Sequence, residues 1–242
     1  MKRKLMTLLM ALVGLTTSAQ TIRRGDVNGD GEISIADVTA LVDLVLGKHT
    51  YVNLGLPSGT LWATTNIGAN FPEEYGLYFA WGEMEPKLDY SWATYRWCNG
   101  TESVMTKYCS DAAYGTPDDK FELDVEDDAA YVLWGSEWRM PSLEQFEELC
   151  SECKWSWTRV NGINGSLVES KVNGNSIFLP AGGWMNGSTL ELAGEKGYCW
   201  SRTINNERCT GACYLGYNSI DHYTNNYWGR YGGWCIRPVR NR

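Results

Sequence analysis

From about Tyr51 onward, apolar residues come in short runs broken by Gly, Asn and Trp. That texture limits the fold: strands of a few residues fit it, whereas long amphipathic helices need an apolar stripe sustained over many residues. Leu61 to Asn66 and Tyr75 to Trp81 read as strands, and Ser166 to Lys171 with Ser176 to Leu179 read as a hairpin around Asn173-Gly174. Tyr198 to Thr203, Ala212 to Tyr217 and Trp234 to Arg240 add three strands. Two short helices interrupt them. Asp124 caps the first, whose early acids suit the positive end of a helix dipole and which Gly135 ends. Ser142 and Gln145 form a capping-box pair for the second, whose buried side carries Leu143, Phe146, Leu149, Cys150 and Cys153. The expected class is α+β, with two short helices among mostly antiparallel strands and no internal repeat.

The amino terminus has a different character. Lys2, Arg3 and Lys4 precede an apolar run from Leu5 to Leu15, and small residues follow at Thr17 and Ala19. This reads as a signal peptide over residues 1–19, cleaved after Ala19. The apolar run is too short to span a bilayer comfortably. The mature chain is therefore expected to be secreted, or to reside at the cell surface or in the periplasm, with no membrane span. Cleavage removes three bases and no acid, moving the net charge from −8 to −11. Such a balance argues against a nucleic-acid partner, because phosphate backbones are bound mainly by Lys and Arg.

Export also changes how the eight cysteines are read: Cys98, Cys109, Cys150, Cys153, Cys199, Cys209, Cys213 and Cys235 are an even set in an oxidising compartment. The connectivity stays open, with Cys98–Cys109 a plausible local staple. Cys150-x-x-Cys153 lacks the second pair or nearby His that a zinc site needs, since His49 and His222 are the only histidines.

Residues 26–37 carry a metal signature. Twelve-residue calcium loops place oxygen ligands at positions 1, 3, 5, 7, 9 and 12 and Gly at 6. Here these are Asp26, Asn28, Asp30, the carbonyl of Glu32, Ser34 and Asp37, with Gly31 at the turn. Hard oxygens on a tight loop suit Ca²⁺, and three carboxylates offset most of its charge. Val38, Leu41, Val42 and Val45 then make one apolar helical face, which Gly47 ends. Asp at position 12 is shorter than the usual bidentate Glu, so a lower affinity is expected. Residues 20–50 thus resemble a single dockerin type I repeat, a calcium loop with its exiting helix. The resemblance implies a cohesin-like partner, although dockerins normally carry two repeats.

The remainder, residues 51–242, also resembles a family. Asn53-Leu54-Gly55-Leu56-Pro57-Ser58-Gly59-Thr60-Leu61-Trp62-Ala63, Tyr78-Phe79-Ala80-Trp81-Gly82-Glu83, Asp127-Asp128-Ala129-Ala130, Trp138-Arg139-Met140-Pro141, Ile177-Phe178-Leu179-Pro180 and Ile236-Arg237-Pro238-Val239 are similar, in order, to blocks of the Fibrobacter succinogenes major paralogous domain. That resemblance implies a C-type-lectin-like fold and brings no catalytic residues.

Function is most legible between Asn205 and Tyr227, where five Asn, four Tyr, two Gly and one Ser make up twelve of 23 residues. Antibody-like binding loops favour this composition, with Tyr for rigid contact area and Asn, Ser and Gly for adaptable hydrogen bonds. Tyr214, Tyr217, Asn218, Asp221, Tyr223, Asn225, Asn226 and Tyr227 are the candidate ligand-binding residues, for a glycan or a cell-surface protein. The competing reading is a hairpin whose tyrosines cover the sheet. Trp184, Trp200 and Trp228 are candidate sugar platforms or core. The Glu-Pro-Asn, Gln-Pro-Asp and Trp-Asn-Asp triplets of calcium-dependent sugar sites do not occur. Glu83 and Glu85 are a conceivable glycosidase pair. Cys209-x3-Cys213 invites comparison with the late copper-binding cysteines of formylglycine-generating enzymes, which share the lectin-like fold and a stretch similar to Trp138 to Glu144. The favoured reading is a non-catalytic, calcium-binding recognition protein of a polysaccharide-degrading or host-associated bacterium; the alternatives are an accessory part of a dockerin–cohesin assembly or an inert surface protein.

Overall fold

The computed structural model describes residues 49–240, except the side chain of Asn226. The residues expected to form a calcium loop, Asp26, Asn28, Asp30, Glu32, Ser34 and Asp37, like the expected signal peptide over 1–19, lie outside the described residues. Among those described, two α-helices and mostly antiparallel strands form the expected α+β arrangement.

Strands β1 (Tyr51–Asn53) and β2 (Leu61–Ala63) pair antiparallel, and the chain returns at its end as β11 (Val239–Arg240) on the other side of β2. A 3₁₀ turn at Val125–Asp127 leads into helix α1 (Ala129–Trp134). The cap of α1 is Asp128 and not Asp124: its carboxylate accepts from the backbone N–H groups of Ala130 and Tyr131. The same buried carboxylate accepts from Met140 N–H and Arg139 Nε, so it also fixes the segment after the helix. Asp124 is occupied elsewhere, by Lys107 and Lys120. Gly135 terminates α1 at φ 102°, as its sequence position suggested. Helix α2 (Leu143–Glu152) carries the expected capping box between Ser142 and Gln145, with Phe146 and Leu149 buried.

Directly after α2 come β3 (Cys153–Val160), β4 (Ile163–Ser170) and β5 (Ser176–Pro180), a meander in the order β3-β4-β5. The β4–β5 hairpin turns at Asn173-Gly174, where Gly174 adopts φ 76°. A small hairpin, β6 (Trp184–Asn186) and β7 (Thr189–Glu191), precedes the last sheet. That sheet contains β8 (Lys196–Ile204), β9 (Gly211–Asn218) and β10 (His222–Gly229), ordered β10-β9-β8. The expected strand over Tyr75–Trp81 reduces to one bridge between Phe79 and Trp234, because the chain there meets its partner for only one residue pair. The strand expected over Trp234–Arg240 is likewise confined to Val239–Arg240.

The β8–β9–β10 sheet separates two apolar clusters. Strand alternation sends Trp200, Ala212 and Tyr214 to one side, where they join Phe79, Trp81 and Trp234. Cys199, Leu215 and Tyr217 point to the other, against Trp62, Phe146, Leu149 and Val168. Fully burying each large apolar side chain is worth about 1.5–3 kcal/mol. Trp200 and Trp234 stack with ring centroids 4.0 Å apart, and the Trp200 indole donates to Phe79 O at 3.0 Å.

Arg237 ties the carboxyl-terminal segment into this core. Its guanidinium is fully buried and donates to Asn66 Oδ1 at 2.8 Å and to the carbonyls of Ala63, Thr64 and Phe178 at 3.0, 2.9 and 3.0 Å. Burial lowers its pKa, and the four oxygen acceptors offset that desolvation. The Ile236-Arg237-Pro238-Val239 block is therefore a structural clasp in this chain.

Candidate ligand-binding surface

The late hairpin does not present its tyrosines as one exposed set. Tyr214 and Tyr217 are buried at 5% and 2% exposure, which removes both from any surface a ligand reaches. Tyr214 packs edge-on against Trp234 at 4.6 Å between centroids. Tyr217 donates its hydroxyl to Pro180 O at 2.8 Å and holds its ring over Gly197, and burial raises its phenol pKa well above the ordinary value. Tyr223 and Tyr227 are half-buried and lie over Gly216 and Gly211. The Tyr and Gly enrichment of this stretch thus has a packing cause, in which a strand glycine opens a space and a neighbouring tyrosine fills it. That is the covering role weighed against binding in the sequence.

The polar residues serve the turns. Asn218 Oδ1 accepts from Ile220 N–H and Asp221 N–H, closing the β9–β10 turn, and Asp221 Oδ1 accepts from His222 N–H. Asn225 Oδ1 accepts from Tyr227 N–H where the β9–β10 register shifts. Asp221 and Asn225 remain exposed, and Asn225 lines a cleft of about 380 Å³ with Thr224, Leu143 and Glu147. The side chain of Asn226 falls outside the described set.

Other sequence candidates separate cleanly. Trp200 is core at 0% exposure and Trp184 nearly so at 7%, while Trp228 is half-buried against Trp184. Glu83 is buried and accepts from Lys87 Nζ at 2.9 Å and Arg96 N–H at 2.8 Å, whereas Glu85 is exposed. Among the described residues no three His, Cys, Asp or Glu side chains gather as a metal site. Burial pushes the Cys150 thiol up to about 12 and the Cys153 thiol up to about 11, so neither is a ready thiolate.

A second cleft gathers guanidinium donors. A cleft of about 440 Å³ is lined by Ser136, Glu137, Arg139, Gln145, Arg202 and Arg240, with Val239. Arg139 spends Nε on Asp128 and Nη2 on Leu123 O. Arg202 spends Nε on Glu122 and Nη1 on Met140 O and Gln145 Oε1. Arg240 bridges to Glu137 at 3.2 Å and lies over the rings of Tyr51 and Trp138. Each guanidinium keeps a terminal nitrogen that none of these contacts uses. These bonds, most of them part-buried, orient the Arg139 and Arg202 forks, which pre-organises donors suited to planar, bidentate recognition of an anion. No local motif marks this cleft, because its residues come from the turn after α1, the start of α2, β8 and β11.

Compared with protein-family models, with curated proteins and with solved structures, the chain matches none. Among those described, no helix is long and apolar enough to cross a membrane. Two concavities are found among the described residues, one rich in guanidinium groups and one lined by Leu143, Glu147, Thr224 and Asn225.

Proposed function

We propose that this is an exported, non-catalytic, calcium-binding recognition protein whose ligand is a glycan or cell-surface protein bearing carboxylate or sulfate groups. The reading takes residues 51–242 as a C-type-lectin-like body related to the Fibrobacter succinogenes major paralogous domain. It takes residues 20–50 as a dockerin-like unit holding Ca²⁺ through Asp26, Asn28, Asp30, the Glu32 carbonyl, Ser34 and Asp37. A cohesin-like partner is the alternative use of that unit, in a polysaccharide-degrading assembly.

The observation that carries the ligand class is the convergence of Arg139, Arg202 and Arg240 on one cleft with Gln145. Planar oxyanions match guanidinium forks, and a uronic acid or sulfated sugar adds hydroxyls for Gln145 and Ser136. Because the whole chain is acidic, diffuse attraction to anions is weak and binding has to come from the cleft itself. Affinity electrophoresis of the full chain through polygalacturonate, a sulfated glycan and a neutral glucan tests this. The acidic polymers should retard it, salt should weaken the retardation, and Arg240→Ala should abolish most of it while leaving the melting temperature near its original value. Equal behaviour on acidic and neutral polymers, or no retardation on any, overturns the reading.

A further inference from the structure

We infer that Cys109 and Cys209 are a disulfide-forming pair, linking the loop before α1 to the β8–β9 connection across the core. All eight cysteines are thiols in the structure, and the Sγ atoms of these two lie 3.1 Å apart, both fully buried. A disulfide needs the sulfurs at about 2.05 Å, so only a small approach separates the two states.

Both backbones are fixed independently of the sulfurs. Asp118 accepts from Tyr108 N–H at 2.7 Å and Cys109 N–H at 3.0 Å, and its own N–H donates to Cys109 O at 2.9 Å. Arg230 donates to Tyr108 O at 3.1 Å from the far side. On the other segment, Asn205 Oδ1 accepts from Glu207 N–H and Arg208 N–H, and Gly211 N–H donates to Arg208 O. Thr210 O accepts from Arg230 N–H, so Arg230 braces both segments. The nearer sequence partner, Cys98, is turned away: its thiol donates to Trp92 O at 3.2 Å and lies 3.6 Å from Tyr95 O.

The chemistry is exchange with a small-molecule or enzymic disulfide. A thiolate of one cysteine attacks that disulfide, giving a mixed disulfide and one released thiol. The second cysteine then displaces the other thiol as the Cys109–Cys209 bond forms. In total the protein gives up two protons and two electrons, and the oxidant's S–S bond is reduced to two thiols. Both sulfurs are enclosed at 0% exposure in the folded protein, and burial pushes the Cys109 thiol up to about 11, so the exchange belongs to the folding chain, before an oxidant is shut out.

The test is to refold the reduced full chain in a glutathione redox buffer, alkylate the remaining thiols, digest without reduction and map the peptides by mass spectrometry. Peptides carrying Cys109 and Cys209 should appear joined, and the link should vanish on reduction. Separate alkylation of both in natively folded, oxidised protein, or either one joined to another cysteine, overturns the assignment. A second measurement uses a Cys109→Ser/Cys209→Ser double variant. Dithiothreitol should lower the melting temperature of the wild type by about 5–15 °C and leave the variant nearly unmoved. Equal sensitivity in both would also overturn it.

Discussion

Tyr217 occupies the space that the missing side chain of Gly197 leaves on the neighbouring strand. A Cβ on Gly197 would stand 2.0 Å from Tyr217 Cζ and 2.3 Å from its hydroxyl oxygen. The two residues face each other across β8 and β9, and the phenol reaches on to Pro180 O. The pattern repeats at Gly216 under Tyr223, Gly211 under Tyr227 and Gly233 under Tyr90. One packing rule therefore explains much of the composition that, as sequence, suggested a binding loop.

Gly197→Ala should destabilise the protein by about 1–3 kcal/mol, because the added methyl group overlaps the Tyr217 ring, which has to shift away from the position that bonds Pro180 O. Tyr217→Phe keeps the ring and leaves a buried carbonyl with one partner fewer, a loss of about 1–2 kcal/mol. Urea unfolding followed by tryptophan fluorescence measures both. A Gly197→Ala protein as stable as wild type would show that Tyr217 swings aside without cost.

How much of this was readable in advance follows from how local each feature is. The capping box at Ser142 and Gln145 and the hairpin at Asn173-Gly174 are set by residues within a few positions, and both formed where the sequence placed them. The sequence places the cap of α1 at Asp124, four residues before the actual one, because Asp124 and Asp128 are equally good caps and only the lysines around Asp124 and the Arg139 partner of Asp128 separate them. Strand β3 was hidden because Cys153 continues the helical spacing of Phe146, Leu149 and Cys150. Burial of Tyr217 depends on Gly197 one strand away, and that of Tyr214 on Trp234, which is distant in sequence. The arginine cleft draws on four separate segments and has no sequence signal at all.

Acid should weaken the fold partly through the lysines around Asp124. Burial alone would raise the Asp124 pKa, but Lys107 and Lys120 outweigh it and hold the carboxyl below its ordinary value. Because the folded pKa is the lower one, the stabilisation is fully present above the ordinary carboxylate range. It is lost as pH falls through the folded value. Lys107 shifts the opposite way: burial lowers its pKa, but Asp124 and Asp127 raise it above its ordinary value. Its contribution therefore persists through neutral pH and disappears only in strong base. Urea midpoints measured from pH 7 down to pH 2 should fall less steeply for Asp124→Asn than for wild type. Parallel curves would remove Asp124 from the acid response.

The proposed calcium binding rests on the twelve-residue loop, in which Asp26 and Asp30 are two of the three carboxylates proposed as ligands. Loss of either carboxylate reduces both charge and ligand number at a site that already uses a short Asp at its last position. Asp26→Ala and Asp30→Ala should each weaken calcium uptake by about tenfold or more, measured by titration calorimetry on the full chain. Unchanged uptake in both would remove the metal assignment and leave the loop as a polar surface turn.

Glu137 offers the sharpest test of the arginine cleft, since its carboxylate bridges to Arg240 at 3.2 Å while its own side chain is 68% exposed. An exposed pair of this kind is worth about 0–1 kcal/mol, so an incoming carboxylate displaces it at little cost but must still compete with it. Glu137→Gln removes the competitor and retains the side-chain shape. Affinity for polygalacturonate should rise about two- to fivefold, the range that such a pair's energy permits. A merely structural role for Glu137 predicts the opposite: lower stability and no gain in binding. Affinity electrophoresis and thermal melting of the same protein separate the two outcomes, and a Glu137→Gln variant that binds acidic polymer more weakly than wild type would count against the cleft as the site.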